Sequence, residues 1–334
     1  MPETRTAGFR RNPLLEQLLA ELGDDLAPAE ERLVARYRGR PADFPVVLVF
    51  GPLRSGTTLF MQWLANTGLA ACPTNLLSRF YRAPIIGAKI QRLLTDPQYS
   101  FRGELGDFAG PADYQSENGK TKGALAPNEF WYFWRRFLPD PGRDVWTDEE
   151  LLRGMNASAL LAELTGITDV FRKPLAAKAM LFNYNIRYLD SILENALFVQ
   201  LRRNQVDNAA SVLEARQRQL GNRAAWYSFE IPEYAQLKNL DPIEQAAGQV
   251  HFINRAVTAG MTTVDARRRL VVNYEDFCAN PAALFAELAP RLGGQGLAYD
   301  GPAGFAATRT SDPALRRRLE AAFAALGQDS VDHA

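Results

Sequence analysis

Between Gly51 and Thr58 the chain reads Gly-Pro-Leu-Arg-Ser-Gly-Thr-Thr, which gathers a guanidinium, three hydroxyls and two glycines in one short stretch. Glycines allow a turn tight enough for successive backbone N–H groups to point at one spot, and a helix start directly behind adds its own unpaired N–H groups. Such a spot binds an anion. The spacing G-x-x-x-x-G-x-T is that of a phosphate-binding P-loop, except that Thr57 replaces the lysine expected after the second glycine. The loop therefore lacks the cation that reaches the β- and γ-phosphates of ATP. Arg54, inside the loop, supplies positive charge instead, and Ser55, Gly56, Thr57 and Thr58 are the other candidates for contact with the anion.

The flanking residues are those needed to hold such a loop in place. Residues 46–50 form a continuous apolar run, mostly β-branched, as in a strand buried on both faces of a parallel sheet, and Pro45 stands at its start. Leu59, Met61, Leu64 and Ala65 then give the apolar repeat of a helix ending near Gly68. Residues 196–201 (ALFVQL) read as a second buried strand, followed by a helix capped by Asn204 with Asp207 three residues on. Residues 269–276 read as a third strand ending in acids. Residues 174–179 precede a helical pattern over 180–193, and Asp241, Pro242 and Glu244 carry the signature of another helix start.

Gly-Pro-Leu-Arg-Ser-Gly-Thr-Thr-Leu resembles the phosphosulfate loop of the sulfotransferases, which take a sulfuryl group from 3′-phosphoadenosine 5′-phosphosulfate and share a fold with nucleotide kinases. The resemblance extends to the second strand end, where an arginine and a serine eight residues later hold the donor's 3′-phosphate in the family. Arg203 and Ser211 occupy those positions, with Asn204-Gln205 in place of the usual Asp-Pro. A guanidinium fork and a hydroxyl suit one phosphate. Two anion sites at two strand ends are what a donor phosphorylated at both ends of its adenosine requires. Lys173 and Lys178 are similar in place to a family lysine ahead of this motif, which makes Lys178 a candidate for the transferring sulfonate. Tyr274-Glu-Asp resembles a segment that the family carries before its last helices. The resemblance implies an α/β, three-layer P-loop-type fold with a central parallel sheet and helices on both faces. It implies a single domain over residues 1–334, with 1–43 as a helical lead-in and 69–168 as an acceptor-binding insertion.

Transfer to a hydroxyl requires a group that accepts its proton. The family uses histidine or glutamate, and the chain has only two histidines, His251 and His333. A carboxylate is favoured. Glu129 is the first candidate, placed at the head of an aromatic helix in which Phe130, Phe133, Trp134 and Phe137 form one buried face. An acid in a first helical turn also complements the helix dipole, so Glu117, Asp113 and His251 stand as alternatives. Trp131 and Tyr132, off the buried face, are available to stack on an acceptor such as a sugar ring.

The remaining features bound the reading. Lys plus Arg equals Asp plus Glu at 38 each, so no net field favours nucleic acid or an anionic membrane. Cys72 and Cys278 have no metal-ligand spacing and suit a reducing cytoplasm. No apolar run is long enough to span a bilayer, and the first residues lack the apolar core of a signal peptide; a soluble, bacterial, cytoplasmic protein is expected. Residues 12–39 hold two helical patterns joined at Gly23, with Pro28 before the second. Prolines break residues 69–168 into short pieces, where Arg79, Arg82, Lys89, Lys120 and Lys122 suit a polar or anionic acceptor. Arg309, ahead of the last helix, is placed to close over the nucleotide. The expected reaction is sulfuryl transfer to a hydroxyl or amine of a glycan, glycolipid or small metabolite, with no metal required. An ATP-dependent P-loop kinase and a non-catalytic nucleotide-binding protein are the alternatives. Oligomeric state is left open.

Overall fold

The computed structural model describes residues 5–105, 114, 116–117 and 120–329. In chain order these form α1 (Pro13–Tyr37), β1 (Val46–Phe50), α2 (Thr57–Thr67), α3 (Pro84–Thr95) and a short antiparallel pair, β2 (Ser116–Glu117) and β3 (Lys120–Thr121). There follow α4 (Trp131–Arg135), α5 (Asp148–Gly154), α6 (Ala157–Phe171), β4 (Leu175–Lys178), α7 (Ile186–Ile192), β5 (Ala196–Arg202) and α8 (Gln205–Leu220). The chain continues through α9 (Tyr234–Leu237), α10 (Pro242–Thr263), β6 (Arg269–Asn273), α11 (Tyr274–Ala279), α12 (Pro281–Arg291) and α13 (Pro313–Asp329).

The central sheet has the order β4-β1-β5-β6 and is parallel throughout. Side chains of β1 alternate between two cores: Val46, Leu48 and Phe50 face one, Val47 and Val49 the other, and all are buried. The first core is closed by α6, α7, α8 and α10, through residues such as Leu164, Leu189, Val212 and Ile253. The second is closed by α2, α11 and α12, through Phe60, Trp63, Phe277 and Leu288. Because both faces are covered, the strand has no polar side, which is why it reads as an unbroken apolar run. The result is the three-layer α/β arrangement expected, with the carboxyl ends of β1, β4 and β5 at one edge.

Three local expectations are corrected. The two helical patterns expected over residues 12–39 are one helix, α1 (Pro13–Tyr37), with Pro28 inside it. Gly23 does not break the helix; a Cβ there would lie 2.6 Å from Arg82 Cδ, so the glycine gives room for the Arg82 side chain to cross. Arg82 in turn donates to the Ala20 carbonyl (3.2 Å) and to Asp24 (2.5 Å), which helps hold the helix together ahead of Pro28. Residues 175–178, read only as a lead into a helix, are the edge strand β4, and the helical pattern over 180–193 is a short turn followed by α7. The third strand stops at Asn273, and Tyr274, Glu275 and Asp276 open α11.

The aromatic segment differs in a way that matters for the site. Phe130, Phe133, Trp134 and Phe137 are all buried, as expected from their spacing. The helix α4, however, covers only Trp131–Arg135 and is preceded by Phe130 in a left-handed conformation, φ 58°. Glu129 therefore does not head a helical turn, and the dipole does not account for its place.

Candidate active site

The glycines at the two ends of the anion loop are fixed by their neighbours. Gly51 has φ 146°, and a Cβ there would come within 2.7 Å of the Leu201 carbonyl oxygen of β5. Gly56 has φ 96°, and its Cβ would lie 2.2 Å from the Tyr274 ring. Both positions need a residue without a side chain. Asn183 grips the loop start from both sides, accepting from Gly51 N (3.1 Å) and donating to Gly51 O (3.0 Å). Asn208, fully buried on α8, donates to the Leu53 carbonyl at 2.7 Å. Arg203 donates to the Arg54 carbonyl at 2.9 Å. The loop shape is thus imposed by side chains from three other segments, and Arg54 is held at φ 64°, uncommon for a residue with a side chain.

Arg54, Gly56, Thr57, Thr58, Glu129, Arg203 and Ser211 all line one cleft of about 620 Å³. Arg54 Nε donates to Ser211 Oγ at 3.3 Å, so its guanidinium lies between the two expected anion sites and touches the second. Burial lowers its pKa from the usual arginine value, although arginine stays charged. Arg203 follows the last residue of β5, lies over the Tyr274 ring at 4.9 Å and donates to the Thr308 carbonyl at 2.5 Å. Ser55 is buried under the loop. Its Oγ, beside Gly51, and the Arg203 Nε are buried without a hydrogen-bond partner; Arg203 lines the cleft, whereas Ser55, expected to contact the anion, does not.

A lysine and a glutamate are paired beside the loop. Lys178, the last residue of β4 and buried, donates to Thr58 Oγ1 (2.8 Å) and to Glu129 Oε1 (3.2 Å). It is therefore not a solvated loop lysine. The other carboxylate oxygen of Glu129 accepts from the Trp131 indole at 2.6 Å and lies 3.6 Å from Lys120 Nζ. Burial alone would raise the Glu129 pKa, but the Lys178 and Lys120 charges and these hydrogen bonds outweigh it and hold the group at about 2. Burial lowers the pKa of Lys178, and Glu129 partly restores it.

The other candidates are placed elsewhere or are not described. His251 faces a separate hollow on α10 with Asn254 and Arg255, and burial lowers its pKa. Lys173 lines a hollow away from the cleft, beside Arg172, and Arg309 is exposed and outside the cleft lining, although its neighbour Thr308 is part of it. Asp113 lies outside the described residues, and of Glu117 only the backbone, in β2, is described. Asn183 and Asn208 were not singled out from the sequence, since an asparagine inside an apparent helix looks ordinary. Tyr227 and Ser228, also in the cleft wall, come from a connecting segment without any motif.

Residues 45–295 match the sulfotransferase family, and the chain belongs to it. No curated protein matches the chain. Among solved structures, the fold is similar to that of a sulfotransferase from Mycobacterium tuberculosis, with a TM-score of 0.50 and 15% identity over 92% of this chain and 78% of that one. A sulfotransferase domain of the olefin synthase from Synechococcus is also similar, at 18% identity, a TM-score of 0.38 and coverage of 84% and 89%. The protein is a sulfotransferase, an enzyme of the transferase class.

Proposed function

We propose that this enzyme transfers the sulfuryl group of 3′-phosphoadenosine 5′-phosphosulfate to a hydroxyl, with Lys178 and Glu129 at the reacting centre. The observation that carries the reading is the chain of contacts Thr58–Lys178–Glu129, which joins the anion loop to a carboxylate at one end of the donor cleft. The loop N–H groups, Thr57 and Thr58 would hold the 5′-phosphate, and Arg203 and Ser211 the 3′-phosphate. Arg54, between the two, would offset the charge that grows on the leaving phosphate. The unpaired Arg203 Nε, in the cleft wall, supports that fit.

In the reaction the acceptor oxygen forms a bond to sulfur as the bond from sulfur to the phosphate oxygen breaks. Adenosine 3′,5′-bisphosphate leaves, and the acceptor's proton passes to Glu129. With a pKa of about 2, Glu129 is a poor base while Lys178 holds it. A sulfonate bound beside Thr58 would draw Lys178 toward itself. Burial would then raise the carboxylate's proton affinity, so that the base becomes effective once donor is in place. The two free, buried cysteines support a reducing cytoplasm as the setting, with a bacterial source inferred from the sequence. Among the described residues no helix is long and apolar enough to cross a membrane.

The test is turnover of sulfur-labelled donor in a cell extract that supplies acceptors. Wild type is expected to move label into an acceptor, and Lys178→Met to lose that transfer while still binding adenosine 3′,5′-bisphosphate. Equal transfer by both proteins would remove Lys178 from the mechanism.

A further inference from the structure

Glu129 and Trp131 line two cavities. One is the donor cleft; the other, about 250 Å³, opens on the far side of the carboxylate toward the first turns of α1. The walls of this second cavity differ in character. On the side of Glu129 they are polar: Lys120, Thr121, Asn75 and Asn128, tied together by hydrogen bonds from Asn75 to Thr121 (3.2 Å) and from Asn128 to Asn75 (2.8 Å). Elsewhere Leu15 and Leu19 of α1 and the rings of Tyr81 and Tyr132, whose centroids are 5.4 Å apart, give an apolar and aromatic stretch, alongside Asn12, Glu16, Ser78 and Arg79, which also line the cavity. The apolar surface continues outward, for Leu14 and Leu18 on the same two turns are 79% and 61% exposed.

We propose that this second cavity is the acceptor site, and that it takes an alcohol on a polar head group joined to an apolar tail. This rests on the sulfuryl-transfer reading above. The hydroxyl would meet Glu129 at the polar wall, and the tail would run along Leu15, Leu19, Tyr81 and Tyr132 toward Leu14 and Leu18. A second copy of the chain could also cover exposed leucines. The substrate is favoured because the apolar surface continues into a concave cavity whose wall includes the carboxylate next to the donor. The N-terminal helix thus becomes a specificity element of the enzyme.

The experiment is titration of the full chain, saturated with adenosine 3′,5′-bisphosphate, with n-alkyl β-D-glucosides of increasing chain length below their micellar concentrations. Each methylene buried in an apolar wall strengthens binding by about fourfold at most, so hexyl glucoside is expected to bind at least ~10-fold more tightly than methyl glucoside, with the gain levelling off for longer chains. Leu15→Ser with Leu19→Ser should abolish that dependence, as should Tyr132→Ser, with affinity for the bisphosphate unchanged in both. Absence of chain-length dependence in the wild type, or its survival in both variants, overturns the proposal. So does a wild-type dimer that Leu14→Ser with Leu18→Ser dissociates, which would assign this face to a second copy. Failure of the underlying reading looks different: chain-length-dependent glucoside binding would persist, but the bisphosphate would not bind.

Discussion

The two sides of the proposed catalytic centre are built differently. The donor side stands on strand ends: its loop is sterically fixed at Gly51 and Gly56 and gripped by Asn183, Arg203 and Asn208. The proposed acceptor side stands on short pieces, the two-residue strand β3, the five-residue α4 and the first turns of α1. A sulfotransferase that receives one donor needs the first side to be invariant in shape. The second can change with the acceptor, and loops on a rigid scaffold change most readily. Lys178 and Glu129 are where the two sides meet.

Substitutions can test whether the sides are separable. The largest effect is expected for Arg54→Ala, which should lower transfer by ~10³- to 10⁵-fold, as loss of an arginine that stabilises transition-state charge does in phosphoryl transfer, while circular dichroism and melting stay near wild type. Alanine is no worse than arginine at φ 64°, so the fold should survive. Glu129→Gln keeps shape and loses proton affinity; turnover should fall by ~10²- to 10⁴-fold with nearly normal bisphosphate binding. Near-normal turnover would remove Glu129 from the mechanism, leaving Glu117 and Asp113 to be examined.

Arg203→Ala should instead act on the donor alone, weakening bisphosphate binding by about 10- to 100-fold in calorimetry, the worth of a lost charged hydrogen bond. A fall in turnover at saturating donor, with normal affinity, would show that the two sides are not separable there. Gly56→Ala should cost about 1–3 kcal/mol in denaturant unfolding, since the added methyl meets the Tyr274 ring at 2.2 Å in a left-handed backbone.

The pH dependence sharpens the junction. Glu129 titrates at about 2 in the free protein, far below the usual carboxylate value, so its charge adds stability that is present above pH ~4.3 and is lost as pH falls through about 2. Because kcat/KM reports free-enzyme pKa values, its acid limb from this group should lie below the pH range of ordinary assays. Lys178→Met is not expected to turn over, but one of the two opposing charges is gone and burial pushes the Glu129 pKa up, so the loss of stability on acidification should move to higher pH in denaturant unfolding. An unshifted profile in that variant would contradict the contact as the cause.

The donor side was legible in the sequence because its constraints are local. A loop bounded by a five-residue apolar run and a helix start needs glycines at set positions, and these are visible in Gly51 and Gly56. Arg203 and Ser211 were found through resemblance, and the cleft lining brings them together with Arg54. What could not be read was the set of side chains that come from afar. Asn183 lies 132 residues from Gly51 and Asn208 lies 155 from Leu53, and no spacing links them. Lys178 looked like a loop residue because β4, only four residues long with two alanines, carries a weak strand signal. Pro28 and Gly23 suggested a break in α1 that Arg82, from another segment, helps to prevent.

Titration of adenosine 3′,5′-bisphosphate and of ATP against the wild type, each with and without magnesium, tests the central claim most directly. The proposed function predicts tight bisphosphate binding that does not depend on magnesium, weaker binding of ATP, and loss of bisphosphate affinity in Arg203→Ala. Tighter binding of ATP, present only with magnesium, would contradict the assignment of a sulfuryl donor to this cleft.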